Sequence, residues 1–197
     1  MRLEGTISVK MALESDWRTV EVIYMDEKKK SKDFGYILQV AKNKNVPVQR
    51  ISRTQLDDMC EGSTHGGVCC DVSQRMYQTL AELPSDKPLF LALIEGIEDP
   101  FNFGYALRTL YAAGCDGCLV PARNWSEEAG IVAKSSAGAL DKLPLIVYED
   151  ANTLLTELKN RGVTIYCAMR EDAIGLYEAD FTESCLIAIG GPKRGLS

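Results

Sequence analysis

Leu89-Phe90-Leu91-Ala92-Leu93-Ile94-Glu95-Gly96-Ile97-Glu98-Asp99-Pro100-Phe101-Asn102-Phe103-Gly104-Tyr105-Ala106-Leu107-Arg108 is the stretch on which the fold turns. Its apolar run ends at an acidic, proline-containing turn, and a helical pattern carrying Asn102 and Arg108 then begins. This is a strand delivering polar residues to the start of a helix. In open α/β sheets, ligands bind in the crevice at the carboxyl ends of the strands, so polar groups placed there are functional candidates.

Downstream, strand and helix patterns alternate. Strand patterns cover Leu89–Glu95, Gly117–Pro121, Leu143–Tyr148, Val163–Ala168 and Cys185–Ile189, and helical patterns cover Asn102–Ala113, Ser126–Ala139 and Ala151–Asn160. Leu145-Ile146-Val147 and Leu186-Ile187-Ala188-Ile189 are continuously apolar, as parallel strands buried on both faces require. Upstream, Leu80 to Pro88 holds two prolines and a Ser-Asp pair and is expected to separate two domains. The expected division is residues 1–77, a linker over 78–88, and residues 89–197. The first part reads as a small α/β module, with strands near Thr19–Met25, Val46–Ile51 and His65–Val72 and helices over Asp33–Lys42 and Ser52–Cys60.

The chain of 197 residues is 46% hydrophobic and 25% charged, values typical of a globular protein rather than a disordered one. No apolar run approaches the roughly 20 residues that span a bilayer. Met1 to Gly5 is not a secretory leader, so a cytoplasmic location is expected, with no membrane partner. The net charge is −6, yet residues 26–53 hold eight basic and three acidic side chains, a local +5 against −11 elsewhere. Bulk coating of nucleic acid is therefore excluded. Lys28, Lys29, Lys30, Lys32, Arg50 and Arg53 read either as an ordinary solvated face or as a local phosphate-tracking patch.

Seven cysteines, an odd number without framework spacing, fit buried reduced thiols. Cys115-Asp116-Gly117-Cys118 matches C-x-x-C but follows a helix rather than opening one, where the helix dipole would activate it. His65 is the only histidine, so no metal site is expected. Gly190-Gly191-Pro192-Lys193-Arg194-Gly195-Leu196-Ser197 follows the last strand; it is neither a P-loop nor a dinucleotide fingerprint, and alone it reads as a turn. Asn102 alone reads as a helix cap or as a site residue, and Arg108 as a surface residue or as a site residue.

Asp99-Pro100-x-Asn102-x-Gly104-x-x-x-Arg108 with Ala113-Gly114 resembles the first motif of the SpoU (TrmH-like) branch of the SPOUT RNA methyltransferases. Ser135-Ser136-Ala137-Gly138-Ala139-Leu140 with Leu143-Pro144 resembles its mid-domain segment, and Ile189-Gly190-Gly191 through Ser197 its second motif. His65-Gly66-Gly67-Val68 is similar to the end of the family's L30e-like RNA-binding domain. The resemblance implies an α/β protein: an L30e-like RNA substrate-binding domain followed by a parallel-sheet, trefoil-knot methyltransferase domain. It also implies methyl transfer from S-adenosylmethionine to a ribose 2′-hydroxyl of rRNA or tRNA, and a homodimer formed through the methyltransferase domain.

By the same resemblance Arg108 is the catalytic arginine and Asn102 shapes the site. Cys167, Ala168, Met169, Ile189, Gly190, Gly191 and Leu196 line the cofactor, and His65 joins the basic residues in RNA binding. Pro192 stands where the family has glutamate. The third motif is absent, so the methyltransferase domain is expected to be incomplete at its C-terminus. A non-catalytic RNA-binding protein with the same fold is the alternative, and a small-molecule α/β enzyme a third.

Overall fold

The structure, a computed structural model, describes residues 1–62, 64–122 and 128–197. In chain order the strands are β1 (Arg2–Glu4), β2 (Val20–Asp26), β3 (Val48–Ile51), β4 (Val68–Val72), β5 (Phe90–Glu95), β6 (Gly117–Pro121), β7 (Leu145–Tyr148), β8 (Thr164–Cys167) and β9 (Cys185–Gly190). The helices are α1 (Thr6–Leu13), α2 (Lys32–Asn43), α3 (Arg53–Met59), α4 (Pro100–Ala112), α5 (Ala129–Ser135) and α6 (Ala151–Asn160). Packing sorts these into two units: residues 1–76 with the described part of 125–142, and the described part of 77–124 with 143–197.

The first unit is a four-stranded sheet in the order β1-β4-β2-β3, parallel only between β2 and β3. β3 lies at the sheet edge, so Pro47, just ahead of it, removes no ladder donor from a central strand. Helix starts follow from side chains that satisfy the first backbone N–H groups. Ser31 caps α2 by accepting from Phe34 N, and Ser52 forms a capping box with Gln55 at α3. α2 buries Phe34, Ile37 and Ala41 at helical spacing and exposes its lysines.

The segment from α5 to Lys142 also belongs to this unit. Arg18 and Asp141, 5% and 1% exposed, form an ion pair at 2.6 Å. Burial pushes the Asp141 carboxyl up from its ordinary range, and the Arg18 guanidinium opposes that shift. Around the pair, Arg75 Nε donates to Leu140 O at 2.9 Å and Lys142 Nζ bonds the Glu14 carboxylate at 3.0 Å. Gly138 has φ +85°, and a Cβ there would lie 2.1 Å from Met11 Cγ. The backbone therefore passes where no side chain fits.

The second unit is a five-stranded, wholly parallel sheet in the order β7-β6-β5-β9-β8. Leu91 to Ile94 of β5 are all buried, as a central parallel strand requires. The core runs from Leu91, Leu93, Leu119 and Leu186 to Leu154 and Leu158 of α6. Within the stretch expected as a linker, Leu80 and Leu83 are buried in this core, and Gln78 bridges to Ile146 of β7. The prolines there end regular structure, but the leucines still find apolar cover.

One start differs from the sequence reading. α4 begins at Pro100, and Asp99 rather than Asn102 is its cap, accepting from Asn102 N at 2.8 Å. Proline suits the first helical turn, where its missing N–H costs no bond. β1 and α1 carry no clear sequence pattern: β1 is three residues long, and α1 buries Ser8 alongside Val9, Ala12 and Leu13. For the helix expected over Ser126–Ala139, the described part is α5 followed by a 3₁₀ turn at Ala139–Asp141, and its first two residues lie outside the described residues.

Arg18→Met leaves a buried carboxylate without its partner and is expected to lower stability by about 3–5 kcal/mol. Adding Asp141→Leu should recover most of that loss, as urea melts of the two variants would show. Asp141 has a raised folded pKa, so the penalty in Arg18→Met is present at neutral pH. It should fade as pH falls and be nearly gone at about 3, where the carboxyl is protonated in both states; melts at the two pH values test the sign.

Candidate functional site

Strands β5, β6 and β7 are laid down outward from one side of β5, while β9 and then β8 lie on its other side. The strand order thus reverses at the β5–β9 boundary, where an open parallel sheet offers a ligand crevice. The two strands pair through Glu95 and Gly190, the last residue of each. Beyond them the backbones touch. A Cβ on Gly191 would lie 2.0 Å from Gly96 O, and one on Gly190 would lie 2.2 Å from Gly195 C and 2.4 Å from Leu196 N.

The loop after β9 therefore folds back on its own origin, and Gly195 N donates to Gly191 O at 3.0 Å. Pro192 stands where the chain reverses, a place that suits its fixed φ. Ser197 N donates to the Glu95 carboxylate at 2.9 Å, and Lys193 Nζ bonds Glu98 at 2.9 Å.

Beside this loop, Cys167 at the end of β8 pairs with Ala188 of β9, and Ala168 N donates to Ala188 O at 2.9 Å. A cleft of about 490 Å³ opens there, lined by Cys167, Ala168, Met169, Ile174, Phe181 and Ile187 among others. The sequence singled out Cys167, Ala168, Met169, Ile189, Gly190, Gly191 and Leu196. The fold gathers all seven at the carboxyl ends of β8 and β9 and in the loop that returns to them. Sequence reasoning missed Ile174 and Phe181 of the cleft and the acceptor Glu95. Only tertiary folding brings them to the site.

Asn102 and Arg108 are both exposed on α4 but point in different directions, being six residues apart. Asn102 lies in the first turn. Arg108 shares a face with Phe101 and Tyr105, which are 51% and 53% exposed. This aromatic face was not read from the sequence, although the i, i+4, i+7 spacing of Phe101, Tyr105 and Arg108 encodes it.

In the first unit, β2 and β3 run parallel with Met25 opposite Arg50 and Asp26 opposite Ile51, so their carboxyl ends lie side by side. That register brings the loop holding Lys28, Lys29 and Lys30, the start of α2 with Lys32, and Arg50 and Arg53 to one end of the sheet. Lys28, Lys30 and Lys32 are exposed, and among the described residues no ion pair engages them. Lys29 Nζ donates to Gly66 O at 2.7 Å over the Phe34 ring, Arg50 Nη1 donates to Asp26 O, and Arg53 pairs with Asp57.

His65, expected among the RNA-binding residues, is 0% exposed. Its Nδ1 accepts from Gly67 N at 3.2 Å, which leaves Nε2 to donate to Asp57 at 2.7 Å. This bond is the largest cause holding the Asp57 carboxyl below its ordinary range. Both ring nitrogens are bonded within the fold, where His65 supports the Gly66-Gly67 turn.

All seven cysteines are free, and five are buried. Burial pushes the Cys115 thiol up to about 11, and its Sγ donates to Gly117 O at 3.2 Å. Neither Cys115 nor its C-x-x-C partner, the buried Cys118, has the exposed, acidified thiol that redox work needs. Among the described residues no group of three or more metal-ligating side chains is assembled, and no helix is long and apolar enough to cross a membrane.

The fold is that of known RNA-modifying methyltransferases. The solved SpoU methyltransferase AviRb from Streptomyces viridochromogenes matches with a TM-score of 0.79 at 20% identity, over 100% of this chain and 75% of that one. A sequence profile of the SpoU rRNA methylase family matches residues 89–197, and one for RNA 2′-O ribose methyltransferase substrate binding matches residues 2–78. The chain belongs to the SpoU rRNA methylase family. It is 30% identical to a putative TrmH family tRNA/rRNA methyltransferase of Staphylococcus saprophyticus, over 98% of this chain and 79% of that protein. It is 28% identical to the 23S rRNA (guanosine-2′-O-)-methyltransferase RlmB of Pseudomonas putida, over 99% of this chain and 80% of that protein.

Gly191→Ala should force the loop off β5, lowering the melting temperature and speeding amide exchange over residues 190–196. Gly35→Ala in α2 has no atom within 4 Å of the added Cβ. It should raise stability by about 0.5–1 kcal/mol.

Proposed function

We propose that this chain transfers a methyl group from S-adenosylmethionine to a ribose 2′-hydroxyl of ribosomal RNA. The observation that carries the reading is the glycine-lined loop at the β5–β9 boundary, held against the strand that leads directly to Arg108. The donor fits the residues present. Gly190 and Gly191 leave main-chain groups rather than side chains at the strand ends. Cys167, Ala168 and Met169 offer an apolar cleft wall for a flat heterocycle. When bound, S-adenosylmethionine supplies a methyl group on a sulfonium sulfur, an electrophile whose leaving group departs as a neutral thioether.

Arg108 acts on the RNA side. A guanidinium stays protonated at any physiological pH and is a poor base, so its contribution is charge. It clamps a phosphate beside the target ribose and stabilises the 2′-oxygen as negative charge develops there. The hydroxyl proton passes to solvent. Asn102, in the first turn of the same helix, shapes the approach. Lys28, Lys29, Lys30, Lys32, Arg50 and Arg53 track the RNA backbone, with specificity left to other contacts. Relatives 28% and 26% identical, named for 23S rRNA guanosine, support that substrate over tRNA.

The reading extends to a cytoplasmic enzyme and to a homodimer formed through the methyltransferase domain. The exposed aromatic face of α4, with Phe101 and Tyr105, supports the dimer; sedimentation of the full chain tests it.

Incubation with labelled S-adenosylmethionine and rRNA tests the reaction. Label should enter ribose in the wild type and fall at least about a hundredfold in Arg108→Ala, the scale of losing one charge-stabilising group, with the melt unchanged. A folded chain that binds RNA without transferring label overturns the enzymatic reading in favour of a binding protein. Replacing Lys28, Lys29 and Lys30 together by glutamine should lower the slope of log affinity against log salt by about 2–3.

A further inference from the structure

We infer that Glu95 is a positioning residue for the methyl-donor loop: its carboxylate holds the Ser197 N–H and so keeps the segment from Gly190 to Leu196 folded over the end of β9. The inference rests on the donor reading given above and adds a residue that Arg108, the glycines and the cleft residues leave out.

Glu95 stands at a singular place. It is the last residue of β5 and lies opposite Gly190 in the ladder. The chain leaves the sheet at Gly190, reverses through Pro192 and Lys193, and returns to the Glu95 side chain at Ser197. Both ends of the loop are therefore fixed to one residue, through the strand pairing at one end and the carboxylate at the other. A bond from a backbone N–H to an ionised acceptor is stronger than one to a neutral acceptor, and Glu95, half-buried at the strand end, accepts at 2.9 Å.

A further side-chain tie between the loop and the β5–α4 connection is Lys193 to Glu98. Both of its side chains are mostly exposed, 75% and 59%, and such a pair is screened and contributes little. The neighbour of Glu95 is also unusual: Tyr148 keeps its phenol pushed up to about 12, first by burial and then by the Glu95 charge.

The tie matters because the loop closes without slack. Gly195 and Leu196 lie where a Cβ on Gly190 would be, and Gly191 lies against Gly96. Freed from Glu95, the backbone of Gly195 and Leu196 can lift from Gly190, and the main-chain surface folded over the end of β9 is lost. The same carboxylate ends the strand that leads into Asp99, Pro100 and α4. Glu95 thus sets the donor loop relative to the helix that carries Arg108.

Calorimetric titration of the full chain with S-adenosylmethionine and, separately, with S-adenosylhomocysteine tests this. Glu95→Ala should weaken both by about tenfold, the scale of one charge-assisted hydrogen bond. Glu95→Gln keeps an acceptor oxygen in reach and should stay within about threefold of wild type for both. KM for the donor should rise in Glu95→Ala with kcat at saturating donor little changed, and RNA affinity should not move. Without any ligand, amide exchange over residues 190–197 should quicken in Glu95→Ala and not in Glu95→Gln.

If Glu95→Ala does not fold, Glu95→Asp, which keeps the charge but is one methylene shorter, should show the same weakening. Wild-type affinity in the folded alanine or aspartate variant overturns the proposal. So does a glutamine variant that loses only S-adenosylmethionine, because the carboxylate would then be acting on the sulfonium charge. A wild-type chain that binds neither ligand removes the donor reading, and the proposal with it.

Discussion

The close passage of two backbones at Gly96 and Gly191 is the constraint on which the second unit depends. A parallel pair of strands delivers its carboxyl ends to the same edge, and here β5 and β9 deliver glycines that let main chain meet main chain. From that contact one segment runs on through Asp99 and Pro100 into α4, and the other doubles back toward Glu95. The helix with Arg108 and the loop beside the cleft are thus two continuations of one junction. Any side chain at Gly191 would push them apart.

The first unit is organised by a different device. Arg18 and Asp141 are charges taken out of water, and each is tolerable only because the other is there. They hold the α5–Lys142 segment against α1 and β1, and the Met11–Gly138 approach leaves that segment little freedom. At the far end of the sheet the chemistry is the opposite. Lysines on the β2–α2 loop stay in water, held near Arg50 and Arg53 by the parallel register of β2 and β3. His65, buried beneath them, stiffens the Gly66-Gly67 turn to which Lys29 is bonded.

Much of this was legible in the sequence because burial on both faces writes itself as continuous apolar runs. β5, β6, β7 and β9 were visible for that reason. β1 and α1 were not, being short and mixed in polarity, with a serine buried in α1. The start of α4 was displaced by two residues because Asp99 and Asn102 are both competent caps, and only the backbone path chooses between them. The residues around the donor cleft were found through a motif, and the strand ends do bring them together. Local sequence could not show that His65 spends both nitrogens inside the fold, because Asp57 approaches it only through the packing of α3. Glu95 read as one acid in an acidic turn; its partner lies 102 residues further along the chain. Arg18 and Asp141 were invisible for the same reason, since nothing local marks a charge as destined for burial.

The chain passes between the two units three times: after Met76, ahead of α5, and again after Lys142. The stretch matched by the methylase profile therefore lends the first unit a helix and a carboxylate. The block that sequence comparison recognises and the block that packs are different blocks. Taken alone, residues 2–78 would carry Arg18 without its counterion and α1 without its cover. What reads as a transferable RNA-binding module is, as a folding unit, completed by residues that arrive only after two of the five parallel strands have been laid down.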